Sequence, residues 1–194
     1  MKRNTPPNIR SFLWKMLHGG FKVGKYWNNI PGYEDRGQCP NCEQTEDMNH
    51  ILFVCPLNKG RTLWCTAREI FEQKGITWPQ DMDHTYIMAA PLLKIRNHTS
   101  KTRIGASRLS TIVILECTWQ TWKVRYKRVI DSEQDGLISV LDTKALNHLR
   151  SALNDRFRKD ISLTNTRKYG KKAYPKQLIQ IGRASCRERV SPYV

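Results

Sequence analysis

Acidic residues are scarce in this chain: 17 Asp and Glu stand against 33 Lys and Arg in 194 residues. The acids are also scattered. A polymerase needs paired Asp, and a ribonuclease H several carboxylates, gathered around two metal ions. No such gathering is visible, so no catalytic residues are assigned and the chain is not expected to be an enzyme. Long apolar runs are missing too. Runs such as residues 112–115 and 51–55 span four or five positions, far short of the roughly 20 a membrane helix needs. Met1-Lys2-Arg3 leads into Asn-Thr-Pro-Pro rather than an apolar stretch, so no secretory leader is expected. No internal repeat is present, and no succession of alternating, β-branched segments announces a sheet. Cysteine is sparse at six, and three of the six fall between positions 39 and 55. That grouping suits a metal site in a reducing nucleus or cytoplasm better than a disulfide framework.

The stretch CPNCEQTEDMNHILFVC, residues 39–55, organises the rest. It reads C-x2-C, seven residues, His, four residues, Cys. A C-x2-C knuckle points two thiolates at one centre, and His50 and Cys55 close a tetrahedron from the start and end of a short helical turn. Mixed sulfur and nitrogen donors in that geometry suit zinc. Pro40 fixes φ between the first two Cys, Asn41 tolerates the turn, and Pro56 stops whatever turn His50 begins. Four protein ligands, Cys39, Cys42, His50 and Cys55, leave no position for water, which makes the expected zinc structural. Glu46 and Asp47 lie inside the loop and imply neither a fifth ligand nor a general base. Cys65 and Cys117 read as ordinary helix thiols.

Residues 9–56 resemble the reverse-transcriptase zinc-binding domain of LINE-type (non-LTR) retrotransposon polyproteins, which also occurs after ribonuclease H-like domains, in fungal copies especially. The resemblance is carried by Phe12-Leu13-Trp14, Leu17-His18-Gly19, the four ligands, the apolar run between His50 and Cys55, and Trp64. The later stretch TNTRKYGKKA, from 164 to 173, is similar to the same fungal proteins. The likeness is strong in the first third and weak afterwards. It implies an accessory role beside reverse transcription or ribonuclease H action, with the catalytic domain of a parent polyprotein as partner.

Periodicity predicts a mostly α protein. Residues 1–7 read as linker or disorder. Ile9, Phe12, Leu13, Met16 and Leu17 form one helical stripe, ended by Gly19-Gly20. His18, at that end, reads as dipole-favoured or packed rather than a ligand. A short helix over 23–28 is expected to bring Tyr26, Trp27 and Ile30 against the first. A helix over 59–74 buries Leu63, Trp64, Ala67, Ile70 and Phe71. Together these make a zinc-binding helical module, 8–75. Residues 76–108 are expected as a basic loop region, apolar enough at 86–93 for a short helix or strand. Within it, 94–108 hold five basic residues and no acid and read as mobile. A helical hairpin then covers 109–163: a long helix over about 107–130, a loop, and a helix from an Asp142 N-cap to about 160 with Leu146, Leu149, Leu153 and Phe157 as its stripe. Residues 164–179 form a basic tail. Residues 180–190, QIGRASCRERV, resemble the in-frame translation of a sequencing-library adapter; 180–194 are therefore set aside, and the native C-terminus is not assigned.

The formal net charge is +16, and residues 76–194 hold 22 basic and 10 acidic side chains of it, a net +12. Such a surplus attracts polyanions. The expected nucleic-acid-binding residues are Lys123, Arg125, Lys127 and Arg128 at the end of the long helix and Arg167, Lys168, Lys171 and Lys172 in the tail. Tyr169 and Tyr174 lie among the latter, so charges can track phosphates while rings stack on bases. The expectation is thus a non-catalytic, zinc-stabilised module that binds RNA or DNA largely without sequence preference and has no membrane role. The competing reading is a zinc-stabilised interaction module docking on a neighbouring catalytic domain, with apolar surface exposed on the 119–126 face. A metallo-hydrolase using His84 or His98 has no supporting spacing.

Overall fold

Ile112-Val113-Ile114-Leu115 sits inside a helix and leaves it no polar side. A helix that is apolar all round must be surrounded. In the computed structural model, which describes residues 5–40, 42–135 and 142–179, this run lies in α4 (Ile104–Asp135). Every residue from Ile112 to Thr118 is buried. Around α4 pack α1 (Pro7–Leu17), α2 (Gly60–Gln73), α3 (His84–Ala89) and α5 (Asp142–Leu163). The hydroxyls forced inside are satisfied along the helix itself: Ser110, Thr118 and Thr121 donate to the carbonyls of Ala106, Ile114 and Cys117. The fold is mostly α, as patterned. No strand occurs among the described residues, only two isolated bridges, Gln38–Thr45 and Arg96–Thr102.

The apolar core is continuous from the N-terminal helix to the hairpin, running through Phe12, Leu63, Phe71, Ile87, Ile112 and Leu149. Order begins earlier than a linker over 1–7 implies. Thr5 is buried and Pro7 is the first helical residue, where its missing N–H costs nothing. The stripe of α1 is Ile9, Phe12, Leu13 and Met16; Leu17, expected to join it, is 61% exposed. His18 lies just beyond α1, and its ring rests on Trp14. The segment expected as a short α-helix is a 3-10 turn, Gly24–Asn29. Gly24, Asn28 and Asn29 are poor α formers. Phe21 and Val23 reach the core there, and Tyr26, Trp27 and Ile30 stay outside it.

Residues 94–108 are pinned rather than mobile. Ile95 N–H donates to Ser107 Oγ at 2.8 Å. The Arg103 guanidinium donates to the carbonyls of Gly75 and Lys74, capping the end of α2. These bonds start α4 at Ile104, before the expected 107, and the helix continues to Asp135. The preceding segment is helical: Asp83 caps α3 by accepting from Tyr86 N–H at 2.8 Å, and a 3-10 turn, Ala90–Leu92, follows. The basic tail also has structure. Asn165 caps α6 (Thr166–Tyr169), 3-10 turns follow at Gly170–Lys172 and Lys176–Leu178, and the last packs on α4. Tyr174 N–H ties this segment to Leu163 O. Residues 1–4, 136–141 and 180–194, with the adapter-like stretch and part of the expected hairpin loop, lie outside the described residues, as does Asn41.

Gly60 opens α2 where it crosses the metal loop. A Cβ there would stand 2.5 Å from Leu52 O, a carbonyl that also accepts the Trp64 indole N–H. Helix propensity alone makes Gly60→Ala stabilising by about 1 kcal/mol. The backbone clash reverses the sign, and we expect a net loss of about 2 kcal/mol in a urea or thermal unfolding titration.

Candidate metal centre

Cys39 and Cys42 come from a tight turn. Gln44 O accepts from Cys39 N–H at 2.7 Å, and Cys39 O accepts from Glu43 N–H at 2.9 Å. Glu43 closes the turn with φ +56°, the left-handed conformation. His50 and Cys55 come from a π-helical turn, His50–Val54, closed by Cys55 N–H to His50 O at 2.8 Å. The spacing of five explains that turn. In an α-helix five residues advance about 500°, so the two side chains point about 140° apart. The wider i→i+5 turn brings them back towards one side. Ile51 and Leu52, between the ligands, are fully buried and anchor the turn in the core. Their carbonyls are taken by side chains, Ile51 O by Asn58 Nδ2 at 3.0 Å and Leu52 O by Trp64 Nε1 at 2.8 Å.

The four donor atoms lie within 4.8 Å of one another, a group that could hold a metal ion. Cys39 Sγ and Cys55 Sγ are 3.9 Å apart, nearly twice a disulfide length. Cys42 Sγ is 3.4 Å from His50 Nε2. The other ring nitrogen, Nδ1, lies 3.2 Å from Gln44 Oε1. A proton on Nδ1 donated to that amide leaves Nε2 free to ligate, the usual outer partner of a metal-bound His. Asp47 Oδ1 accepts from His50 N–H at 2.8 Å and fixes the start of the turn. Cys39, His50 and Cys55 are almost completely buried, while Cys42 is half-buried. Burial pushes the Cys55 thiol up to about 11 and the Cys42 thiol upward too, with Cys39 close to both. Protonated thiols crowded in this way are what a dication replaces.

Two arginines expected to touch nucleic acid hold this loop instead. Glu46 is 2% exposed. Arg125 forks onto its carboxylate, with Nε 3.3 Å from Oε1 and Nη2 on Oε2. Arg128 Nη2 lies 3.7 Å from Glu46 Oε1 and donates to Asn58 Oδ1 at 3.0 Å. α4 therefore grips the metal loop before His50, through Glu46, and after Cys55, through Asn58. Positions 125 and 128 share one side of α4, and 123 and 127 lie on another. Gln44, Glu46, Asp47 and Asn58 were not among the residues the sequence singled out for the site; they lie in polar loop stretches where nothing local marks a buried partner.

Lys123 and Lys127 face α5. The two helices run antiparallel, with Arg108 on Asp160 at 2.8 Å and Glu116 against Arg156 at 3.5 Å. Further along, Lys123 and Lys127 of α4 and Lys144 of α5 all act on His148. Partial burial, then Lys127, lowers the Lys123 pKa, with Glu116 acting against them; burial, then Lys123, Lys127 and Lys144, lowers that of His148. Arg167, Lys168, Lys171 and Lys172 are exposed on α6 and the turn after it, with Lys168 Nζ 5.5 Å from the Tyr169 ring centre. His84 donates its backbone N–H to Asn49 Oδ1, and His98 lies in the turn between Arg96 and Thr102. Neither belongs to the four-donor group. No helix among the described residues is long and apolar enough to cross a membrane.

No protein family, curated protein or solved structure matched this chain in comparison.

Proposed function

We propose that this chain is a non-catalytic, zinc-stabilised module that binds nucleic acid through the paired basic face of α4 and α5, as an accessory to a retrotransposon-derived reverse transcriptase or ribonuclease H protein of the nucleus or cytoplasm. Zinc is the ion we assign. At a Zn–S distance of about 2.3 Å and a Zn–N distance of about 2.05 Å, a tetrahedron sets sulfurs roughly 3.8 Å apart and sulfur and nitrogen roughly 3.6 Å apart. The separations of 3.9 and 3.4 Å fall close to both. Four protein donors make its role structural.

The observation that carries the binding reading is the gathering of Lys123, Lys127 and Lys144 around a neutral His148. Cations gathered on one face repel, and a phosphate between them removes that cost. Lys127, Lys144 and His148 are exposed. Arg125 and Arg128 are withdrawn from the interface by Glu46, and the α6 cations form a second basic segment.

The test is fluorescence anisotropy with a labelled oligonucleotide at several salt concentrations. Affinity should fall steeply with salt, and Lys127→Gln with Lys144→Gln should lower the log–log slope by about one unit or a little less for each phosphate that is no longer neutralised. A flat salt dependence would overturn the reading.

One observation favours the competing interaction module. On the 119–126 face Trp119 and Trp122 are half-buried against Phe12 and Phe21, and Tyr126 is 52% exposed. More exposed apolar surface lies on α1, at Trp14 and Leu17, 63% and 61% exposed. That face suits docking on a catalytic domain of the parent polyprotein.

A further inference from the structure

Three aromatic side chains beside the metal loop are left outside the core, and they form a row. Tyr26 and Trp27 have ring centres 5.3 Å apart, and Trp27 and Tyr33 have theirs 6.2 Å apart at 32°. Tyr26 is 40% and Tyr33 47% exposed. The Arg36 guanidinium lies 5.4 Å from the Trp27 ring centre and 5.0 Å from that of Tyr33, and Lys22 Nζ lies 5.8 Å from that of Tyr26. The row is held from beneath: Trp27 Nε1 donates to Lys22 O at 2.9 Å, and Gly37 packs so tightly on the turn that a Cβ would come 2.9 Å from Gly24 O.

Tyr26 also stands at the rim of a cavity of about 640 Å³ between α1, the Gly24–Asn29 turn and the metal loop. That size lies within the range of ligand sites, roughly 300–1,000 Å³. Its wall is mixed: Met16, Phe21, Val23 and Met48 are apolar, and Lys25, Asn29, Thr45, Asn49 and His84 are polar. Asp47, also in the lining, is occupied as the partner of His50 N–H. Residues 7–38 hold five basic side chains, Arg10, Lys15, Lys22, Lys25 and Arg36, against Glu34 and Asp35. Around the row itself Lys22, Lys25 and Arg36 stand against Glu34, Asp35 and Asp47, so its cations act as local caps on the rings rather than as a net surplus.

We propose that this row and its cavity are a second nucleic-acid site, a platform for unstacked bases of a single strand. Tyr26, Trp27 and Tyr33 offer ring faces, the cavity admits one base edge-on against Phe21 and Tyr26, and Lys22, Lys25 and Arg36 meet the phosphates. Exposed rings capped by cations suit bases and phosphates together, because every base has a stacking face. A double helix keeps its bases stacked inside and cannot use such a row. The site therefore adds strand selectivity to the basic face of α4 and α5, and rests on the reading of this chain as a nucleic-acid binder.

The test compares labelled oligothymidylate, oligouridylate and a mixed-sequence DNA duplex by anisotropy, using the zinc-loaded full chain. Tyr26→Ala and Tyr33→Ala should each weaken both single strands about ten-fold and leave the duplex unchanged. Their salt slopes should not move, since stacking releases no counterions, and Tyr26→Phe should restore binding. Thermal melting of the variants should match that of the parent, both side chains being exposed. The parent's relative affinity for the two single strands tells whether DNA or RNA is preferred. If the parent binds but the Tyr variants bind single strands equally well, the platform is overturned and the row is left to a protein partner; equal losses on duplex and single strands overturn it too. If the parent binds none of the three probes, the proposed function fails with it.

Discussion

Removing the metal should abolish the cooperative melt of this protein, not merely lower its midpoint. Structural zinc in small domains contributes on the order of 10 kcal/mol at neutral pH, more than many domains have in reserve. Here the ligand turn is continuous with the core: Ile51 and Leu52, between His50 and Cys55, pack with Leu63 and Trp64 of α2. Chelation, Cys39→Ser and His50→Ala should therefore all lose the transition over residues 8–75, followed by near-ultraviolet circular dichroism of Trp64 and its neighbours. Metal analysis should return one zinc per chain. Less than half an equivalent in reduced, undenatured protein, or an unchanged melt after chelation, would sink the metal reading.

Proton competition gives the same prediction a sign. The metal-free thiols of Cys42 and Cys55 are raised by burial, Cys55 to about 11, so they are protonated at neutral pH and binding must release protons. Zinc affinity, and the stability it confers, should rise with pH and fall in acid. A competition titration against a chromogenic chelator between about pH 6 and 8 should show this rise, and a flat dependence would mean that the thiols are not the ligands.

The metal group and the helices were legible because both are local patterns. A C-x2-C turn, a His and a Cys five apart, and apolar residues at three- and four-residue spacing need no tertiary knowledge. The π turn is legible only afterwards, since the same spacing is compatible with a loop. Segment 94–108 looked free because its basic residues had no acidic neighbours in sequence. Arg103 is anchored by backbone carbonyls at the end of α2, Ile95 N–H by a serine hydroxyl on α4, and Arg108 by Asp160, 52 positions away, none of which composition reveals. The arginines of α4 divide for a related reason. Lys123, Arg125, Lys127 and Arg128 are one basic cluster in sequence, but about 100° per residue sends 125 and 128 one way and 123 and 127 another. Which direction holds the acid is settled by where Glu46 is folded, 79 positions from Arg125.

That buried acid supports the second large effect. Glu46→Ala should destabilise the protein by about 3–5 kcal/mol, because it strands two guanidiniums that are almost without solvent. Arg125 and Arg128 side chains are 12% and 5% exposed in their pairs with Glu46. Among the described residues Arg128 alone of the two has a second acceptor, Asn58 Oδ1, and that bond leads to the π turn through Ile51 O. The loss should therefore appear in two places, as a lower unfolding free energy and as faster zinc transfer to a chromogenic chelator. Replacing the whole group at once, Glu46→Leu with Arg125→Met and Arg128→Met, should recover much of the unfolding free energy, since apolar substitutes for a buried ion group are often neutral or better. Nucleic-acid affinity should hardly change in that triple variant, because the cations it removes face Glu46 and not solvent. A large drop in oligonucleotide binding at unchanged stability would instead return Arg125 and Arg128 to the interface and leave the metal loop without its clamp.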